Sequence, residues 1–264
     1  MNRAGQWFAA VALALVAAAC ASSGETQVLA ADEQFQTATR LYEDGEYDRA
    51  VGAFQAFVFN YPQDPRVPEA RWLAAESYYR MEDWATAAQE YLNYQRDFPR
   101  DGRAAEGIYQ AGRAYQEMSL RPELDQRDTE RAINVYDRLL VEYPSSEFAA
   151  EARERVNELR NKLAEKLYLN AEFYFDHEDF EAAEIYLADL IAMFPQTDWM
   201  PAGYALLART FCSQGLADRA AEVIARLRET YPGSEAAREA DDQLPGRCLQ
   251  PPPPEQAAGP PDGT

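Results

Sequence analysis

Few residues in this chain could do covalent or acid–base chemistry, and their spacing argues against an active site. The one histidine, His177, stands between Asp176 and the pair Glu178-Asp179. With no second histidine and no Cys-x-x-Cys, neither a zincin site nor a zinc ribbon can be assembled. A serine–histidine–aspartate triad would have to use His177, yet no Gly-x-Ser-x-Gly elbow is present. No glycine-rich phosphate loop appears either. Carboxylates are plentiful, 45 Asp and Glu against 25 Lys and Arg. Each apparent pair, however, falls beside Lys or Arg on a polar helix face, and nothing places two across a cleft as glycoside hydrolysis requires. The residues therefore predict no enzyme and no cofactor. A formal net charge of −20 repels phosphate backbones, so nucleic acid is not an expected partner.

Helices carry these residues. Between Pro144 and Pro195 the chain has no Gly or Pro. Within it Phe148, Ala152, Val156, Leu159, Leu163, Leu167, Ala171 and Tyr174 recur at steps of three and four, one buried stripe of a helix. Arg153, Glu154, Glu158, Arg160, Lys162 and Glu165 fill the other side, where water is expected to solvate them. At 1.5 Å per residue this helix is predicted to run about 45 Å. A polar turn at 176–179 leads to a second stripe, Phe180, Ala183, Tyr186, Leu187, Leu190 and Ile191, which completes an antiparallel hairpin.

That hairpin repeats. An alanine stands twelve residues before the proline of an aromatic-Pro pair at five places. They are Ala50 with Tyr61-Pro62, Ala87 with Phe98-Pro99, Ala132 with Tyr143-Pro144, Ala183 with Phe194-Pro195, and Ala220 with Tyr231-Pro232. Eight residues after each proline comes another small residue: Ala70, Gly107, Ala152, Gly203 and Ala240. Small residues let paired helices approach closely, and proline stops one helix before the next begins. Such periodicity is the signature of tetratricopeptide-type (TPR) repeats.

The expected fold class is all-α, a solenoid of five TPR-like antiparallel helix hairpins with a short C-terminal capping helix, over residues 32–244. Its N-terminal hairpins span 32–142 and its C-terminal hairpins 145–244, with residues 234–243 as the cap that hides the last apolar face. A loop at 119–128 interrupts the third hairpin and reads as an exposed contact point. Asp128 is expected to N-cap the helix that carries Ala132 and Tyr136. The aromatics Tyr78, Tyr79, Trp84, Tyr91 and Tyr94 fall at helical spacing and are expected in the core.

Residues 1–19 read as a signal peptide, with Arg3 ahead of an apolar run too short to anchor stably in a bilayer. Ala17, Ala18 and Ala19 precede Cys20, and Ser22, Ser23 and Gly24 follow it, a layout that resembles a bacterial lipoprotein signal. The resemblance implies cleavage before Cys20 and acylation there, palmitate included, which anchors 20–31 as a flexible lipidated linker. Ala21, in place of Asp, points to the outer membrane. Residues 245–264, with prolines at 251–254, read as a disordered tail. Cys212 and Cys248 then remain, an even pair in an oxidising compartment; a disulfide and two unpaired thiols both stay open.

The sequence words Leu124-Asp125-Gln126-Arg127-Asp128, Tyr143-Pro144-Ser145-Ser146-Glu147-Phe148-Ala149, Leu159-Arg160-Asn161-Lys162-Leu163-Ala164 and Phe180-Glu181-Ala182-Ala183 carry a more specific likeness. From about Ala31 to Gln243 the chain resembles the BamD family, TPR-like lipoproteins of the outer-membrane β-barrel assembly (BAM) complex. That resemblance implies a scaffold on the periplasmic side of the outer membrane. Its C-terminal hairpins would bind BamA, and its N-terminal hairpins would receive nascent barrel substrates or other BAM lipoproteins. Where the family carries Asn-Arg after the central turn, this chain has Ile185 and Tyr186. The ion pair implied there is not carried over, and Tyr186, Arg209 and Arg219 become the partner-binding candidates. The alternative is another periplasmic TPR adaptor lipoprotein, of the Tol–Pal, cell-division or pilus-assembly kind.

Overall fold

The computed structural model describes residues 29–244 and 246. The signal peptide, Cys20, residues 21–28 of the linker, Cys248 and the rest of the tail lie outside the described residues. Eleven helices occur among the described residues, and no strands. They are α1 (Ala31–Glu43), α2 (Tyr47–Asn60), α3 (Val67–Arg80), α4 (Trp84–Asp97), α5 (Ala104–Glu117) and α6 (Arg127–Glu142). The rest are α7 (Ala149–Asp176), α8 (Phe180–Met193), α9 (Met200–Ser213), α10 (Ala217–Thr230) and α11 (Glu235–Gln243). Two compact units divide the chain inside α3, between Leu73 and Ala74. No helix among the described residues is long and apolar enough to cross a membrane.

The aromatic-Pro pairs write the helix ends. Helices α2, α4, α6, α8 and α10 stop at an aromatic C-cap, Tyr61, Phe98, Tyr143, Phe194 and Tyr231, with φ between −133° and −127° and ψ between 51° and 58°. The following proline excludes the helical conformation from the residue before it. Each cap N–H still donates to the carbonyl four residues back, as Tyr61 does to Phe57 at 2.8 Å. Each cap carbonyl then accepts the N–H three residues on, from Asp64, Asp101, Ser146, Thr197 and Ser234. One turn is thus built five times.

In the first unit, Phe35 of α1 lies edge-on to Phe54 and Phe57 of α2, with centroids 6.2 and 5.2 Å apart. Arg66 lies over the Phe35 and Phe57 rings at 5.0 and 5.4 Å. Its guanidinium pairs with Asp32 at 2.8 Å and Asp64 at 2.7 Å. Hydrogen bonds from the Arg66 side chain and backbone pull the Asp64 carboxyl down to about 2.

In the second unit helices α5 to α10 pack in chain order, each on the next, with α11 against α9 and α10. This is the arrangement of a TPR-like helical solenoid. The patterned alanines sit where neighbours press closest: Ala87, Ala132, Ala183 and Ala220 are 0% exposed. A Cβ on Gly107 would stand 3.2 Å from the Tyr91 carbonyl oxygen, and one on Gly203 would stand 2.6 Å from Leu190 Cδ2. Gly112, which the repeat pattern does not include, is held most tightly; a Cβ there would lie 2.5 Å from the Tyr136 ring. Tyr91 and Tyr94 are buried, whereas Tyr78, Tyr79 and Trp84 are only partly so.

Helix α7, 28 residues and about 42 Å long, enters two cores. Its first half sends Ala152, Val156 and Leu159 among Ile108, Ala132 and Tyr136. Its second half sends Ala164 and Ala171 among Leu187, Leu190, Leu206 and Phe211. At the far end Ser234 caps α11 by accepting the Ala237 N–H at 3.1 Å, and Ala237, Ala240 and Leu244 close the second core.

Gly112→Ala is expected to destabilise the fold by about 1–2 kcal/mol, since overpacking against a buried ring outweighs the helix propensity gained. Gly203→Ala, which meets only the movable end of Leu190, should lower the urea midpoint less. Asp64 titrates lower folded than its ordinary 3.8, so its contribution is fully present above pH 4 and is lost as pH falls toward 2. Urea midpoints measured from pH 5 to 2 should therefore fall less steeply for Asp64→Asn than for the parent chain.

Candidate functional site

Helix α7 carries two surfaces able to meet a partner. The first lies at its middle, where the 119–126 loop crosses it. Gln126 is buried, and its Nε2 donates to the carbonyls of Arg121 at 2.7 Å and Leu124 at 3.2 Å. Its Oε1 accepts from Thr129 Oγ1 at 2.7 Å, and Thr129 Oγ1 bonds Ser119 Oγ at 2.5 Å. Lys162 Nζ completes the run by donating to Ser119 Oγ at 2.7 Å. Lys166 Nζ donates to the Leu124 carbonyl at 2.5 Å. Every hydroxyl and amide in this series has a partner, so burial costs little.

Three expectations are corrected here. Lys162 is not simply solvated: it is half-buried against the loop, and burial pushes its ammonium pKa down. Asp128 is not the N-cap. Gln126 holds that position, and Asp128 lies in the first turn of α6, paired with Arg131 at 2.8 Å. The reason is that Gln126 turns inward to satisfy the loop carbonyls, which draws the helix start back to Arg127. Nor is the loop wholly exposed; the clamp buries Gln126 and Thr129 while leaving Leu120 and Leu124 in solvent.

The second surface lies at the α7–α8 turn. Tyr174 stacks on Tyr186 at 5.4 Å with planes 12° apart, and Phe173 meets Tyr174 edge-on at 5.4 Å. The His177 ring packs on Phe173 at 4.2 Å, and its Nδ1 lies 2.7 Å from the Phe173 carbonyl oxygen. Glu178 follows at φ 61°, a left-handed turn that the equivalent positions Gly45 and Gly215 adopt without a side chain. Phe173, a member of this row, is 56% exposed, and Ile185, the chain neighbour of Tyr186, is 62% exposed.

The three partner-binding candidates do not form one cluster. Tyr186 belongs to the aromatic row. Arg219 of α10 is held at 2.8 Å by Glu184 and lies 3.9 Å over the Phe211 ring. Arg209 of α9 lies 4.6 Å over Phe175 and lines a separate groove with Tyr168. Both guanidiniums already serve internal contacts. The arrangement offers apolar and aromatic contact rather than a bare cation, and no proton-transfer geometry surrounds His177. Cys212, buried in the second core, is disulfide-bonded.

Sequence periodicity could not reveal the loop clamp, because its members fall on two segments some forty residues apart. The only signal was that both segments belong to the most family-specific words.

A family model described as YfiO, outer membrane lipoprotein, matches residues 28–227. Two curated relatives are each named outer membrane protein assembly factor BamD. The one from Caulobacter vibrioides is 22% identical, over 85% of this chain and 75% of its own length. The one from Xylella fastidiosa is 24% identical, over 75% of this chain and 59% of its own length. Among solved structures, the TPR2AB domain of yeast Sti1 in its pHSP90 complex is similar at 17% identity. That match covers 80% of this chain and 81% of the other, with a TM-score of 0.40.

Gln126→Ala, which takes a partner from the Arg121 and Leu124 carbonyls and from buried Thr129, should cost about 1–3 kcal/mol. Asp128→Ala, which breaks only a surface pair, should cost under about 1 kcal/mol. Equal losses for the two variants in urea unfolding would mean that the clamp does not hold the loop.

Proposed function

We propose that this chain, which belongs to the YfiO (BamD) family of outer membrane lipoproteins, is a lipid-anchored scaffold of outer-membrane β-barrel assembly. The observation that carries the reading is the family match across residues 28–227, supported by two relatives named as BamD assembly factors. Acylation of Cys20 holds the chain at the periplasmic face of the outer membrane, and the chain itself catalyses nothing.

The C-terminal hairpins dock BamA, the barrel-bearing partner, and the N-terminal hairpins receive barrel substrates or companion lipoproteins. In this chain the docking contact is aromatic and aliphatic. Ile185, Phe173 and the stacked Tyr174–Tyr186 pair present an exposed apolar face beside the central turn. Apolar anchors at the centre of an interface carry most of its binding energy. Arg219, steadied by Glu184, lies at the edge of this face, whereas Arg209 belongs to the separate groove on α9.

Ile185→Glu should reduce recovery of BamA in a pull-down from mildly solubilised membranes by at least about 10-fold. Asp48→Lys, on the first hairpin, should leave that recovery unchanged. Equal recovery with both variants would remove the docking assignment, and capture of Tol–Pal or pilus components without BamA would remove the assembly reading itself. Cys20→Ser should move the chain from the detergent phase to the aqueous phase in Triton X-114 partitioning.

A further inference from the structure

We propose that the segment following Cys248, with its four consecutive prolines at 251–254, docks in a groove on α9 of its own chain, tethered by a Cys212–Cys248 disulfide. Cys212 is disulfide-bonded, and the sequence holds only two other cysteines, Cys20 and Cys248. Leu244 lies in the same buried cluster as Cys212. Cys248 follows four residues later, a reach of at most about 14 Å of extended chain. That length of chain is enough for Cys248 to reach Cys212.

On α9, Cys212, Arg209, Ala205 and Ala202 recur at steps of three and four, so they share one face. Arg209, Ala205 and Ala202 line a groove of about 420 Å³, with Pro201 beyond them, Tyr168 of α7 on one side and Ala236 of α11 on the other. From Cys212 back to Pro201 the helix rises about 16 Å. Five residues of polyproline II helix cover about the same distance, so the stretch from Cys248 to Pro253 matches the groove in length.

The chemistry matches as well. A proline run has carbonyl acceptors and no N–H donors, and it keeps its extended form without internal hydrogen bonds. Grooves that take such a segment present aromatic faces and hydrogen-bond donors. Tyr168 supplies a ring, itself packed on Trp199 at 4.9 Å. Arg209 supplies the donors, its guanidinium lying over Phe175. A short tether raises the local concentration of the segment to about the millimolar range, so even weak contact fills the groove. The inference stands on the groove and the cysteines, and its outcome is independent of the assembly role.

The test uses a fluorescent peptide of residues 249–256, titrated by anisotropy into the oxidised full chain. It is titrated in parallel into the full chain carrying Pro251→Ser, Pro252→Ser, Pro253→Ser and Pro254→Ser. The peptide should bind the serine variant and bind the parent chain at least about 10-fold more weakly, because the parent's own tail competes. Adding Ala236→Arg or, separately, Tyr168→Ala to the serine variant should abolish binding, with circular dichroism confirming that each retains its helices. Absence of binding to the serine variant, equal binding to both chains, or binding indifferent to both groove substitutions would each overturn the proposal. Non-reducing peptide mapping should recover Cys212 joined to Cys248, and Cys212 joined to any other cysteine would overturn the tether.

Discussion

One helix belonging to two cores is the constraint on which the second unit depends. Helix α7 gives Val156 and Leu159 to the core around Tyr136, and Ala164 and Ala171 to the core around Leu187 and Leu206. A break in α7 would uncouple the two cores, which is the physical reason that its 28 residues contain neither Gly nor Pro. Between the two cores the helix passes through a waist where its residues are only half-buried. The polar clamp of Ser119, Gln126, Thr129, Lys162 and Lys166 occupies that waist. Apolar packing is weakest there, and a satisfied chain of hydrogen bonds takes its place.

The surface ion pairs contribute far less to this architecture. Most are local, such as Arg155 with Glu151 and Glu158, and partly exposed, where solvent and side-chain entropy offset the Coulomb gain. The repeated turn does more. Five aromatic caps before proline take up one backbone conformation and hand the chain to the next helix through the same pair of hydrogen bonds. The inner turns are less uniform: Gly45 and Gly215 take positive φ freely, while Glu82 and Glu178 hold it against the preference of their side chains. Glu178 stands at the end of the exposed aromatic row, so the strained turn and the proposed docking face coincide.

The partner-binding candidates show how folding redistributes chemistry. Arg209 and Arg219 looked in sequence like replacements for a missing docking arginine. Folded, each covers an aromatic ring, and Arg219 also answers Glu184. What remains open to a partner is hydrophobic, Phe173 and Ile185, beside the Tyr174–Tyr186 stack. An interface of this kind gains from desolvating apolar area rather than from one ion pair, so the proposed docking face does not depend on Asn-Arg at 185 and 186.

By itself the sequence determined the class, number and order of the hairpins. Helix period, small residues and prolines are local signals, and each acts through the backbone within a turn or two of its own position. It also determined where α7 ends and that Ser234 opens the capping helix, for the same local reason. Long-range packing settled that Gly112 must admit the Tyr136 ring, that Gln126 rather than Asp128 stands at the N-cap position of α6, and that Lys162 turns from water to the loop. Those outcomes depend on which residues distant in the chain arrive side by side. A hydrogen-bond donor chooses its acceptor by proximity after folding, and periodicity along the chain does not encode it.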